Sequence, residues 1–210
     1  MPRKTAKLAA LRTVLLVVEG ETEQIYFSQL RADRHVSGIT ITPRLAKHSS
    51  VKHILKTALE EYETRVYDEI WCVFDRDTIV RDGLGEETTA LLHHALACNI
   101  HFAESYPSFE VWFYLHFAMP QPHYLTQYSL IEDFRQFVPH YGKVQAWLSG
   151  GELYKLLRVR EHVAMQNSVL LAAHNAACPS EGNTACTVHE LMNAVFAVTN
   201  TVRGLAHRSE

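Results

Sequence analysis

Acidic side chains gather where apolar runs end. Val14–Val18 runs into Glu19-Gly20-Glu21-Thr22-Glu23, which places three carboxylates within five positions. A second apolar run, "EIWCVF", closes on Asp75-Arg76-Asp77. A further acid, Glu110, stands between Phe109 and the apolar "VWFYL". Two carboxylates about 4 Å apart repel by roughly 4 kcal/mol at an effective dielectric of about 20, so four sharing one site need protonation or a cation. Asp75 and Asp77, two apart in a segment read as extended, point to the same side and can share an ion. An all-oxygen donor set suits a hard cation, Mg²⁺ or Mn²⁺. Such ions stabilise the attacking and leaving oxygens in phosphoryl displacement. A carboxylate not consumed as a ligand, Glu19 or Glu110, is then available as general acid/base.

Each of these residues also has a purely structural reading. Glu19, Glu21 and Glu23 open a helix, where a carboxylate gains about 0.3–1 kcal/mol from the helix dipole. For Glu23 that role and a site role stay equally open, and Glu21 is read as solvated. Asp75 can simply terminate a strand. It gains weight because it closes a buried run and because no Walker A sequence accompanies it. Glu110 can cap the helix that begins near Ser105-Tyr106-Pro107.

The elements that must position these residues follow from hydrophobic periodicity. Leu15–Val18 reads as a strand, Glu21–Arg34 as a helix, Gly38–Thr42 as a strand and Val51–Arg65 as a helix. "EIWCVFDRD" is a strand, Glu86–Ala97 a helix and "NIHFAES" a strand. This alternation predicts a mostly parallel sheet flanked by helices, an α/β fold. Past residue 105 the pattern turns helical, in "PSFEVWFYLHF", "LIEDFRQFV", "YKLLRVREHVAMQNSVLLAAHNA" and "TVHELMNAVFAVTN". The expected organisation is a single domain over 10–205, with an α/β core at 10–105 and a helical part at 106–205. Ligands of open α/β sheets bind beyond the carboxyl ends of the strands. Glu19, Asp75, Asp77 and Ser105 all fall at such ends, with Glu110 close behind.

Composition narrows the class. The chain has 210 residues, 47% of them hydrophobic, with 20 basic against 23 acidic side chains. A net charge of −3 advertises no global basic field for coating nucleic acid, yet leaves room for local contact through metal ions. The longest apolar runs are about five residues, far short of a membrane span. Cys72, Cys98, Cys178 and Cys186 show no disulfide-framework spacing, and the basic N-terminus lacks a signal-peptide pattern. Free thiols in the cytoplasm are expected.

The stretches "VVEGETEQIYF", "CVFDRD" and "SYPSFEVWFYLHF" together resemble the RloB-like family, which includes the AbiL-type phage-resistance proteins and carries a Toprim-like domain. "HYGK" resembles that family's Tyr-x-Lys. "GNTACTVHEL" stands where the family has an Asn-Pro-Ser-Thr-like element, but the proline and serine do not align, so roles for Asn183 and Thr187 stay open. The resemblance implies a metal-dependent nuclease in prokaryotic antiviral defence (phage resistance by abortive infection). Its relatives are commonly encoded beside an ABC-type ATPase. Carried over by position, Glu19 is the general acid/base, Asp75 and Asp77 are metal ligands, Glu110 is a further acidic ligand, and Lys143 stabilises charge developing on a phosphate. RNA, transfer RNA and DNA all stand as substrates, and self-association stands as an open alternative.

Other readings compete. "FDRDT" fits the nucleophile loop of haloacid-dehalogenase-like phosphatases. That loop normally lies near the start of a chain and needs later acidic ligands, whereas Asp133 is the sole Asp after Asp82. A non-catalytic binding module partnered with an ATPase is the other alternative. Zinc is considered for His94, Cys98 and His101, and for Cys178, Cys186 and His189, but neither group has a structural-zinc spacing. Arg44, Lys47, Lys52 and Lys56 form a candidate nucleic-acid contact, against the plainer reading of a solvated helix surface. Arg3, Lys4 and Lys7 read as a basic arm.

Overall fold

The computed structural model describes residues 13–34, 44–45, 50–124, 126–142 and 144–194. The first apolar run is β1 (Val14–Val18), followed by α1 (Glu21–Arg34), β2 (Arg44–Leu45) and α2 (Val51–Glu63). Then come β3 (Glu69–Asp75), α3 (Asp77–Asp82), α4 (Glu86–Ala97) and β4 (His101–Tyr106). The second half holds α5 (Glu110–Leu115), α6 (Gln127–Phe134), α7 (Gln145–Ser149), α8 (Glu152–Arg158) and α9 (Glu161–Ala177). It ends with β5 (Ala185–Cys186) and a helix over 188–194, α10. The predicted strand Gly38–Thr42 and the basic arm lie outside the described residues.

The described strands form one sheet in the order β2-β1-β3-β4-β5, parallel except for β5, which runs antiparallel to β4. This is the mostly parallel α/β arrangement expected of a Toprim-like domain. The helical half does more than cover the sheet, because it returns β5 to the sheet edge. That strand was not legible in "TAC": two residues give no period-2 pattern to read.

Successive side chains on a strand point to opposite faces, and this sorts the core. Leu15, Val17, Ile70, Cys72 and Phe74 meet Val51, Ile54, Leu55 and Ala58 of α2 and Ala95 of α4. Val14, Leu16, Val18, Trp71 and Val73 face the other way, toward α1, α5 and the remaining helices of the second half. Asp75 continues the Trp71–Val73 phase, so alternation aims it at the α1/α5 side. Every residue of α5 is buried, which is why its sequence is apolar all round apart from Glu110. The α4–β4 connection ends the helix with Asn99 at φ 57°, a left-handed position asparagine tolerates, and the Ile100 N–H bonds back to the Ala95 carbonyl.

Candidate active site

The carboxyl ends of β1 and β3 lie side by side, and the two carboxylates that end them are coupled directly. Val18 pairs with Val73, and the Glu19 N–H donates to the Val73 carbonyl at 3.0 Å. The Asp75 N–H in turn donates to Glu19 Oε2 at 2.8 Å. Glu19 thus spans the mouth of the central strand pair. Ser105 stands opposite Asp75 on the neighbouring strand, fully buried, with its hydroxyl against Cys186.

Two more acids enter from the helices. Glu23, in the first turn of α1, is only 5% exposed. A Cβ placed on Gly20 would stand 2.9 Å from Glu23 Oε2, so the bare glycine leaves room for that carboxylate beside the turn. Glu110, the first residue of α5, is completely buried, and among the described residues three donors bind it. Ser108 Oγ donates to its Oε2 at 2.6 Å, Gln127 Nε2 to the same oxygen at 3.1 Å, and the Tyr141 hydroxyl to Oε1 at 2.8 Å. Burial holds the Tyr141 hydroxyl far above its usual range, and the charges of Glu110, then Glu23 and Asp75, push the same way. One phenol therefore sits within electrostatic reach of three carboxylates from three separate elements.

Asp77 differs from the expectation. The extended segment ends at Asp75, Arg76 has φ −92° and ψ 6°, and Asp77 opens α3. The premise that Asp75 and Asp77 alternate onto one side of a strand does not hold, because the chain turns between them. Asp77 is exposed, and its Oδ1 accepts the Thr78 N–H at 2.7 Å. Arg76 lies between the acids and pairs with Glu104 at 3.7 Å. Burial raises the Glu104 carboxyl above its ordinary range, offset by Arg76. Lys143 lies outside the described residues.

Sequence reasoning left Glu23 undecided and gave no role to Tyr141, Ser108 or Gln127. The i, i+4 spacing of Glu19 and Glu23 was the available signal for the first. Ser108 stands two residues from Glu110 and Tyr141 belongs to "HYGK", but nothing local ties Gln127 or Tyr141 to Glu110, 17 and 31 residues away. Thr187 acts structurally, because its hydroxyl accepts the Glu104 N–H at 2.8 Å and fastens the exit of β5 to β4. Lys52 and Lys56 both bind Glu87 of α4, so they tie two helices together rather than forming an open basic face.

Among the described residues, no three His, Cys, Asp or Glu side chains close on one point as they would around a bound metal ion. This holds for both zinc candidates as well as for the acids. The acidic set still fits a hard cation in its chemistry. Every donor is a carboxylate oxygen, and an oxygen accepting one hydrogen bond retains a second lone-pair direction.

No described helix is long and apolar enough to cross a membrane. No curated protein and no solved structure matches the chain. A family model described as RloB-like protein matches residues 14–195, from the first strand to the end of the last described helix, and the chain belongs to that family.

Proposed function

We propose that this protein is a metal-dependent phosphodiesterase acting on nucleic acid, the effector of a prokaryotic antiviral defence system. The observation that carries the reading is the convergence of Glu19, Glu23, Asp75 and Glu110 at the carboxyl edge of a mostly parallel sheet. Two buried and two half-buried acids grouped this way repel one another, and a divalent cation bound among them offsets that repulsion. When bound, Mg²⁺ or Mn²⁺ would polarise the phosphate and lower the pKa of an attacking water. Glu19, Asp75 and Glu110 would hold it, with Asp77 reaching in from α3.

The remaining work belongs to the chain. Glu19, fixed on the Asp75 amide, is oriented to take or return a proton as general acid/base. Tyr141, Ser108 and Gln127 hold the Glu110 carboxylate in one orientation, so it does not swing when the ligand arrives. Lys143 would neutralise charge developing on the phosphate. RNA, transfer RNA and DNA are the substrate classes to screen, in the cytoplasm and beside an ABC-type ATPase partner.

One observation favours a second reading. With no three acids closed on a point among the described residues, the protein would act as a binding module whose site assembles only on a partner. Titrating Mn²⁺ into the purified chain separates the two. Saturable binding that disappears in Asp75→Ala/Asp77→Ala, followed by hydrolysis lost in Asp75→Ala and Glu19→Ala, supports the enzyme. Full activity in both single variants overturns the mechanism assigned to these acids.

A further inference from the structure

A cleft opens beside the carboxylate edge and is not part of it. Two cavities, of about 390 and 320 Å³, share Arg76 and Glu181 as walls. One lobe is polar, lined by Asn175, Ser180 and Asn183 from the end of α9 and the loop before β5. The other is lined by Ile79, Val80 and Leu84, on and just after α3. Each lobe is within the size range of small-ligand sites.

The polar lobe is built rather than incidental. Asn183 is 6% exposed, its Nδ2 donates to the Cys178 carbonyl at 2.7 Å, and its N–H reaches the Ser180 carbonyl at 3.1 Å. Asn175 Nδ2 holds the Thr184 carbonyl at 2.9 Å. These bonds fix the loop before any ligand comes, which lowers the ordering cost of binding. Asn175 Oδ1 is buried and has no hydrogen-bond partner among the described residues.

We propose that this cleft is a ribonucleotide-binding subsite, an inference that rests on the phosphodiesterase reading. The chemistry of the walls divides as a nucleotide does. Arg76 takes the phosphate: its 3.7 Å pairing with Glu104 is longer than a hydrogen bond, so a phosphate offering two short charge-assisted bonds displaces it. Glu181, an exposed carboxylate on the wall the two lobes share, accepts from ribose hydroxyls. Ile79, Val80 and Leu84 give the base an apolar wall. Because Arg76 follows Asp75 directly, the cleft adjoins the end of the strand that carries the acid. An acceptor facing the sugar favours RNA over DNA, since the 2′-hydroxyl is a donor that deoxyribose lacks.

The test is equilibrium binding to the full chain with EDTA present, using the pentanucleotides rA5 and dA5 and the free nucleotides AMP and dAMP. The expected result is saturable rA5 binding about tenfold or more tighter than dA5. Arg76→Gln should weaken both strands about tenfold, and Glu181→Ala, an exposed position, should bring the ribo/deoxy ratio toward one. AMP as tight as rA5 would make the ligand a free nucleotide, and AMP much weaker would make it a unit within a strand; both keep the subsite. Equal affinity for rA5 and dA5, no binding by any probe, or insensitivity to both variants overturns it. Asp75→Asn separates this from the parent reading. If rA5 binding behaves as described while hydrolysis survives Asp75→Asn, the acidic-edge mechanism falls and the subsite stands.

Discussion

The turn from β4 into α5 and the turn from β3 into α3 both carry an acid from the end of a strand into a short helix, yet they treat it in opposite ways. Glu110 is fully buried and clasped by Ser108, Gln127 and Tyr141. Asp77 is exposed and, among the described residues, bonds locally to the next amide. The first turn is packed between the sheet and the aromatic rings of Phe109, Phe113 and Tyr141, whereas the second opens onto the cleft at Arg76. A buried carboxylate must be satisfied by the fold itself, so its orientation is set before ligand binds. An exposed one is satisfied by water and stays adjustable. The site thus joins a fixed half, supplied by α1 and α5, to an adjustable half at α3.

The largest expected effect tests whether the strand-end acid is indispensable. Asp75→Asn or Glu19→Gln should reduce hydrolysis by about 10²–10³-fold with the thermal transition retained. Asp77→Asn should cost about tenfold or less; a loss as deep as that of Asp75→Asn would erase the distinction between the two halves. Next in size is a stability effect on the fixed half. Glu110→Ala leaves three donors without their acceptor and should lower unfolding stability by about 3 kcal/mol in urea titrations. Glu110→Gln should lose clearly less, and an Ala variant as stable as the parent would show that Glu110 does not anchor α5.

The other end of α5 gives a pH-dependent prediction. His116 is buried, and its Nδ1–H donates to the Trp112 carbonyl at 2.8 Å. Burial depresses its pKa from 6.5 to about 4. The folded state therefore prefers the neutral ring, and its stabilisation is complete above the unfolded pKa of 6.5 and is lost as pH falls toward 4. Over that window the ring accounts for at most roughly 3 kcal/mol. His116→Leu should flatten this part of the pH–stability curve, and an unchanged slope would place the ring in water.

Two smaller effects sharpen the contrast. Gly20→Ala presses on the end of a flexible side chain, not on backbone, so it should displace the Glu23 carboxylate with a stability change under about 1 kcal/mol. Weakened Mn²⁺ binding in that variant would place Glu23 in the fixed half. Lys52→Ala/Lys56→Ala should leave nucleic-acid affinity unchanged, since both lysines are committed to Glu87. A clear drop in affinity would restore them as a contact surface.

Much of the fold was legible in order along the chain. The helix over Glu86–Ala97 and the helix over Glu21–Arg34 coincide with their predicted bounds, because amphipathic periodicity is a local property. The long helical stretch from Tyr154 divides into α8 and α9 around Val159 and Arg160, a break for which no Pro or Gly gave a signal. For α6, Thr126 and Ser129 form a reciprocal cap, a Thr-x-x-Ser spacing that was in the sequence and went unused.

What the sequence determined by itself was the placing of acids at strand ends, because burial of an apolar run and its abrupt end are read from neighbouring residues. Glu19 and Asp75 follow from that alone. Tertiary structure decided the rest. It gave Glu110 its distant donors Gln127 and Tyr141 and set Asn183 and β5 along the cleft that Arg76 lines. It also turned Asp77 out of the strand. Each of these depends on contacts between distant segments or on one backbone turn at Arg76, and neither leaves a periodic trace in the amino-acid order.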